Sequence, residues 1–255
     1  MGVNELVELT RPKAVLMAVL GVLLVAFAAK ADYSNLNLML SAIISIACIT
    51  SAGNAINDYY DVKIDKVNRP DRPIPSGRIS SKSTKIFAFS LFMIGILASL
   101  PLPFLCILIA ISNTILLLIY SSLFKRGGFL GNIFVGYLAA SVFVFGSAIG
   151  GNIRIGVLLA ILVFLAISAR EVLKDLEDVK GDRVGGAKTL PINRGVKKAK
   201  VIVMSFLLLF ILFSPVPYFA EIFSIYYLAL ILIPDLLFVR VIFRLFKKLS
   251  VKIPW

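Results

Sequence analysis

The sequence predicts an all-α fold: a polytopic bundle of transmembrane helices around a central cavity, with acidic motifs on its cytoplasmic side. Three observations carry this reading. Apolar runs long enough to cross a bilayer recur along the chain, and 59% of its 255 residues are hydrophobic; about 20 apolar residues suffice for a helix across roughly 30 Å of hydrocarbon. Lys and Arg sit mostly in alternate connections between those runs. The acids, few in number, gather in two of the same connections. Residues 1–255 are read as one transmembrane domain, with no room for a separate soluble module.

Taken in order, residues 1–13 form a short polar lead ending in Thr10-Arg11-Pro12-Lys13. The first apolar run, 14–29, has the flanks of a secretory signal but is read as an uncleaved first helix, because so many spans follow. The second run, 36–58, carries an acidic stretch out of the membrane into a polar loop, 59–85, that is rich in Lys and Arg. Runs 86–100 and 102–120 meet at the Pro101–Pro103 turn, too short to reach far from the bilayer. After a basic connection from Tyr120 to Gly128, runs 129–150 and 153–174 join near Gly150-Gly151. Residues 170–200 form a third large polar loop. The seventh run, 201–214, ends at Pro215 and Pro217, and the last, 222–246, is interrupted at Pro234-Asp235, which predicts a kink or two shorter pieces.

Eight spans put the N-terminus, the loops after runs two, four and six, and the C-terminus on one side. Those are the Lys/Arg-rich segments, so that side is cytoplasmic. The opposite loops carry only Lys30, Asp32, Arg154 and Glu221. The net charge of +13 is thereby accounted for by attraction to anionic membrane lipids, and nucleic-acid binding is not expected. Cys48 and Cys106 lie inside apolar runs and form neither a disulfide framework nor a metal-binding spacing. With no histidine in the chain, chemistry has to run on carboxylates, Lys, Arg, Tyr and metal.

Nine of the fourteen acidic residues fall in two stretches, Gly53–Ser80 and Arg170–Pro191, a concentration that ordinary surface charge does not explain in an acid-poor membrane protein. In the first, Asn57, Asp61 and Asp65 are four apart and share one helix face, rising about 6 Å per step. Two carboxylates at that distance repel by about 2.8 kcal/mol at an effective dielectric of about 20. Such a row needs a cation, and hard oxygen ligands suit Mg²⁺, which combines a few carboxylates with substrate phosphate oxygens. In the second stretch, Asp178 and Asp182 are four apart, with Asp175 three residues upstream on roughly the same face. Both rows lie at cytoplasmic ends of even-numbered runs, which predicts that they face one cavity.

These stretches resemble the UbiA-type intramembrane prenyltransferases. Asn57-Asp58-Tyr59-Tyr60-Asp61-Val62-Lys63-Ile64-Asp65 resembles that family's NDxxDxxxD motif, and Asp178-Val179-Lys180-Gly181-Asp182 its DxxxD motif. The order is the family's, and the resemblance runs over nearly the whole chain. It implies Mg²⁺ as cofactor and a prenyl diphosphate as substrate, whose departing diphosphate leaves a delocalised allylic cation and so requires no enzymic nucleophile. It implies catalytic, metal-site roles for Asp61, Asp65, Asp178 and Asp182, with Asn57 as a further ligand and Asp58 and Asp175 as supporting acids. It implies substrate binding by Arg11 at the mouth of the first span and by Tyr120 and Lys125, although their spacing is one residue longer than the family's YxxxK. Arg69, Arg72 and Arg78, in a proline-stiffened loop, offer phosphate donors, and Arg72 is the candidate among them; headgroup anchoring is the alternative for all three. Lys188 can reach a phosphate, while the Gly185-Gly186 pair before it reads first as a helix stop. The family usually has nine transmembrane helices where eight are read here, a departure confined to the C-terminal end.

Within the family, the pattern around both motifs, and the absence of an arginine near Ser51–Asn54, is most similar to members that add a geranylgeranyl chain to geranylgeranylglyceryl phosphate in archaeal ether-lipid synthesis. An aromatic or quinone-precursor acceptor is the second reading. A transporter is the reading from another class, disfavoured because the acids sit at helix ends rather than at mid-span.

Overall fold

The computed structural model describes residues 2–124, 128–184 and 186–250. Among these, every regular element is helical, as hydrocarbon demands of a backbone that must satisfy its own N–H and C=O groups. In chain order the helices are α1 (Val3–Thr10), α2 (Pro12–Ala28), α3 (Leu36–Asn68), α4 (Ser81–Ser99), α5 (Phe104–Ile119) and α6 (Phe129–Ile149). After them come α7 (Ile153–Glu177), α8 (Val179–Val184), α9 (Leu190–Arg194), α10 (Val196–Phe213), α11 (Val216–Phe219) and α12 (Ile225–Ser250). Six of them (α3 to α7 and α10) are long and apolar enough to cross a membrane, and α1 with α2 makes a seventh as a pair bent by 53°. The eighth expected run is α12. Pro234 lies inside it without dividing it, so the two-piece alternative does not hold.

The chain divides into two compact units, residues 1–123 with 142–156, and residues 124–141 with 157–255. In the first unit, Pro12 disfavours the right-handed helical conformation at the residue before it, and Arg11 takes a left-handed one instead (φ 52°, ψ 71°). The bend lays α1 against α3, where Leu9 is fully buried with Ile49, Ala52 and Ile56. Asn54 Nδ2 donates to the Thr10 carbonyl at 2.8 Å, which satisfies the end of α1. Helix α3 starts on Asn35, whose side chain accepts from Leu38 N–H, and runs on past the expected boundary at residue 58. After it, residues 69–80 fold as a tight knot on Pro73, Ile74 and Ile79, all buried, and Ser80 caps α4.

The C-terminal part of α6 packs on α2 through Phe145, buried with Val22, Ala42, Ile46 and Cys106. The helices approach closely enough that a Cβ on Gly146 would stand 2.6 Å from Val22 O and 3.2 Å from Val25 Cβ. Gly146→Val is therefore expected to lower stability by about 1–3 kcal/mol through overpacking. Thermal melting in detergent checks this, and a wild-type melting temperature would mean the α2–α6 contact yields freely.

In the second unit, Ala169, Val172, Leu190, Ala199, Val203 and Leu207 form the core, flanked by Phe129, Phe206 and Phe238. The polar stretch 170–200 is not one loop: α7 continues to Glu177, and α8 and α9 follow. At the far end of α10, Ser214 Oγ donates to Asp235 Oδ2 at 2.8 Å, and Tyr227 OH donates to Ser214 O at 2.7 Å. These bonds pin α12 beside its internal proline.

Candidate active site

Helix α3 has 33 residues, about 50 Å at 1.5 Å per residue, against roughly 30 Å of hydrocarbon. Its last turns stand clear of the apolar layer and carry the first acidic row. At 100° per residue, Asn57, Asp58, Asp61 and Asp65 fall within an arc of about 100°. Asn57 and Asp61 are half-buried, whereas Asp58 and Asp65 are buried.

The buried pair is held by arginines. Arg11 Nη2 donates to Asp58 Oδ1. Arg72 Nη1 donates to the same oxygen at 3.2 Å and to Asp65 Oδ2 at 2.6 Å. The left-handed turn at Arg11 is uncommon for a residue with a side chain, and it occurs where the guanidinium must reach α3. Asp58 thus serves as the anchor of two guanidiniums. Arg78 lies apart from this network, paired with Glu8 at 2.7 Å, an ion pair that raises its already high pKa. Arg69 is exposed and closes α3, its N–H donating to Asp65 O.

The second row straddles a helix break. Asp175 is in the last turn of α7, Asp178 lies between α7 and α8, and Asp182 is on α8. Backbone bonds from Asp178 N to Lys174 O and from Asp182 N to Asp178 O, each 2.9 Å, carry the helical register through the break. The row therefore keeps a helical register although it spans two helices. Burial, and then the neighbouring Asp178, push the Asp182 carboxyl above its ordinary pKa. Upstream, Glu171 takes both Arg170 (2.9 Å) and Lys174 (3.0 Å). The stop after α8 is formed as the glycine pair predicts: Gly186 has φ +68°, and Ala187 N donates back to Asp182 O at 2.9 Å, a Schellman turn. Lys188, just beyond, is exposed.

Tyr120 opens a π-helical turn, Tyr120–Phe124. A π turn accommodates an extra residue in the helix, and the sequence carries its one-residue insertion at this point. Lys125 lies outside the described residues.

Two buried side chains that the sequence reading passed over touch the rows. Ser121, in the π turn, donates its hydroxyl to Asn57 Oδ1. Asn132, on α6, donates Nδ2 to Asp175 Oδ2 at 2.9 Å. The signal available for Asn132 was a polar residue inside an apolar run.

The donor set fits Mg²⁺: carboxylates and an amide oxygen, with no imidazole in the sequence. Among the described residues, no three Asp, Glu or Cys side chains converge tightly enough to enclose an ion by themselves. That suits a cation that keeps several waters and draws ligands from substrate phosphates, rather than one held in an all-protein cage.

A family model described as the UbiA prenyltransferase family matches residues 15–253. A digeranylgeranylglyceryl phosphate synthase of Methanosarcina mazei is 44% identical over 199 residues, 77% of this chain and 69% of the relative. The enzyme of that name from Methanothermobacter thermautotrophicus is 40% identical over 238 residues, 93% and 83%. Among solved structures, one described as a digeranylgeranylglyceryl phosphate synthase in membranes superposes with a TM-score of 0.88 at 34% identity, covering 96% of this chain and 88% of that one. A UbiA homologue from Archaeoglobus fulgidus, bound to GPP and Mg²⁺, shares the fold at TM-score 0.73 and 16% identity, covering 97% and 91%.

Proposed function

The chain belongs to the UbiA prenyltransferase family, making it an intramembrane prenyltransferase, and on that premise we propose that it moves a geranylgeranyl group from geranylgeranyl diphosphate to geranylgeranylglyceryl phosphate. The observation that carries the acceptor assignment is the 40% identity to a digeranylgeranylglyceryl phosphate synthase across 93% of this chain. The reaction takes place at the cytoplasmic side of the cell membrane, an orientation supported by the basic connections on that side.

Asp61 and Asp65 of the first row, with Asn57, and Asp178 and Asp182 of the second, with Asp175, hold Mg²⁺. When bound, Mg²⁺ neutralises charge developing on the departing diphosphate. The chain's own candidates for binding phosphate are the cations Arg72, Arg11, Lys125 and Lys188, and the hydroxyl of Tyr120. Arg72 is already oriented, since Asp58 and Asp65 both accept from its Nη1, and a planar guanidinium suits phosphate oxygens. Asp58 contributes by holding Arg11 and Arg72. An acceptor bearing a phosphate suits a cytoplasmic side so rich in Lys and Arg.

The test is diphosphate release by the purified protein with geranylgeranyl diphosphate and Mg²⁺, with and without geranylgeranylglyceryl phosphate. Acceptor-dependent release, with a two-chain lipid phosphate as product, is expected. Release only with an aromatic acid would overturn the acceptor while keeping the reaction class.

A further inference from the structure

Asn132 is 6% exposed, in an apolar helix, and an amide in such surroundings is costly unless it is hydrogen-bonded. Its partner is reached because α6 and α7 pack closely at a glycine. A Cβ on Gly136 would overlap Ser168 Oγ and lie 3.2 Å from Phe164 O. From that contact, Asn132 is one helical turn back along α6. Asp175 is about two turns forward along α7. The two side chains meet there, with Asn132 Nδ2 2.9 Å from Asp175 Oδ2.

We propose that Asn132 is a positioning residue for the second acidic row, holding the Asp175 carboxylate by one oxygen so that the other is presented to a divalent cation. This rests on the reading that the second row binds Mg²⁺. The donor's chemistry is the argument. An amide fixes a carboxylate's rotamer without cancelling its charge. In the first row, by contrast, Arg72 sets a full positive charge against Asp65. Groups that orient a metal-binding carboxylate from outside the ligand set commonly contribute about 10- to 100-fold to affinity.

The experiment is Mn²⁺ binding to the purified, substrate-free protein, followed by electron paramagnetic resonance, with folding checked by size exclusion. Asn132→Leu, which keeps volume and removes the donor, and Asn132→Ala are each expected to weaken one class of bound Mn²⁺ by about 10-fold or more. Gly136→Val, which forces the helices apart with Asn132 intact, is expected to do the same. Wild-type affinity in either folded Asn132 variant overturns the inference. Asp178→Asn and Asp182→Asn are measured alongside. If they lose Mn²⁺ while the Asn132 variants keep it, only the positioning role fails. If all four bind as wild type does, the metal assignment of the second row fails with it.

Discussion

Replacing Asp61 or Asp182 by alanine is expected to lower turnover by about 10³-fold while leaving the protein folded in detergent. Charge neutralisation of a departing diphosphate by metal contributes several kcal/mol, and each 1.36 kcal/mol is tenfold in rate, so about 4 kcal/mol gives that loss. The effect on folding should be small. The repulsion of Asp61 by Asp65 is offset by Arg72, which bonds Asp65 at 2.6 Å, and the ionised form of Asp182 is already disfavoured by burial and by Asp178. Variants should therefore melt close to wild type and turn over far more slowly. Near-normal turnover by either purified variant would contradict the metal assignment.

The apolar runs were legible because a bilayer forces each span to satisfy its own backbone, so length and hydropathy mark the helices. What they mark is the membrane boundary, not the helix boundary. Asp58–Asn68 is polar, and a loop was expected from residue 59, yet α3 continues to Asn68 because no proline or glycine intervenes before Pro70. That continuation is what makes the first row a row. At the start of the chain the punctuation was visible in Arg11-Pro12, but the helix ahead of it, α1, is held by burial of Leu9 on α3, a tertiary contact that no local pattern announces.

The residues of the site were legible to different depths. Acid spacing identified Asn57, Asp61 and Asp65 as a helix face, and it did so for Asp178 and Asp182 despite the break between α7 and α8. Spacing could not say that Asp58 would anchor two guanidiniums, since Arg11 arrives from 47 residues away through the bend. Nor could it find Ser121 or Asn132. Asn132 reads as one polar residue among apolar neighbours and Ser121 as one of two serines opening a basic connection, and the partner of each is set by helix register across a packing contact rather than by anything within its own segment.

Arg72→Ala is expected to destabilise the protein by about 3 kcal/mol, because it strips a buried carboxylate of its partner. Arg72 bonds both Asp58 and Asp65, whose side chains are 6% and 8% exposed. Asp58 keeps Arg11 in the variant; Asp65 has no such second arginine among the described ion pairs, and the penalty falls mainly there. Arg72→Lys should recover only part of the loss, since an ammonium cannot reproduce the guanidinium's planar fork. The combination Arg72→Met with Asp65→Asn should recover most of it, because removing both charges of a buried pair is often neutral. The double variant also separates structure from chemistry. It should melt close to wild type and yet remain inactive, having lost a carboxylate proposed for the metal site and an arginine proposed to bind diphosphate. Melting curves and diphosphate release measured on the three variants decide the matter. An Arg72→Ala protein that melts like wild type would show that the arginine network does not hold α3 to the loop after it, and a double variant with substantial turnover would remove Arg72 and Asp65 from the chemistry.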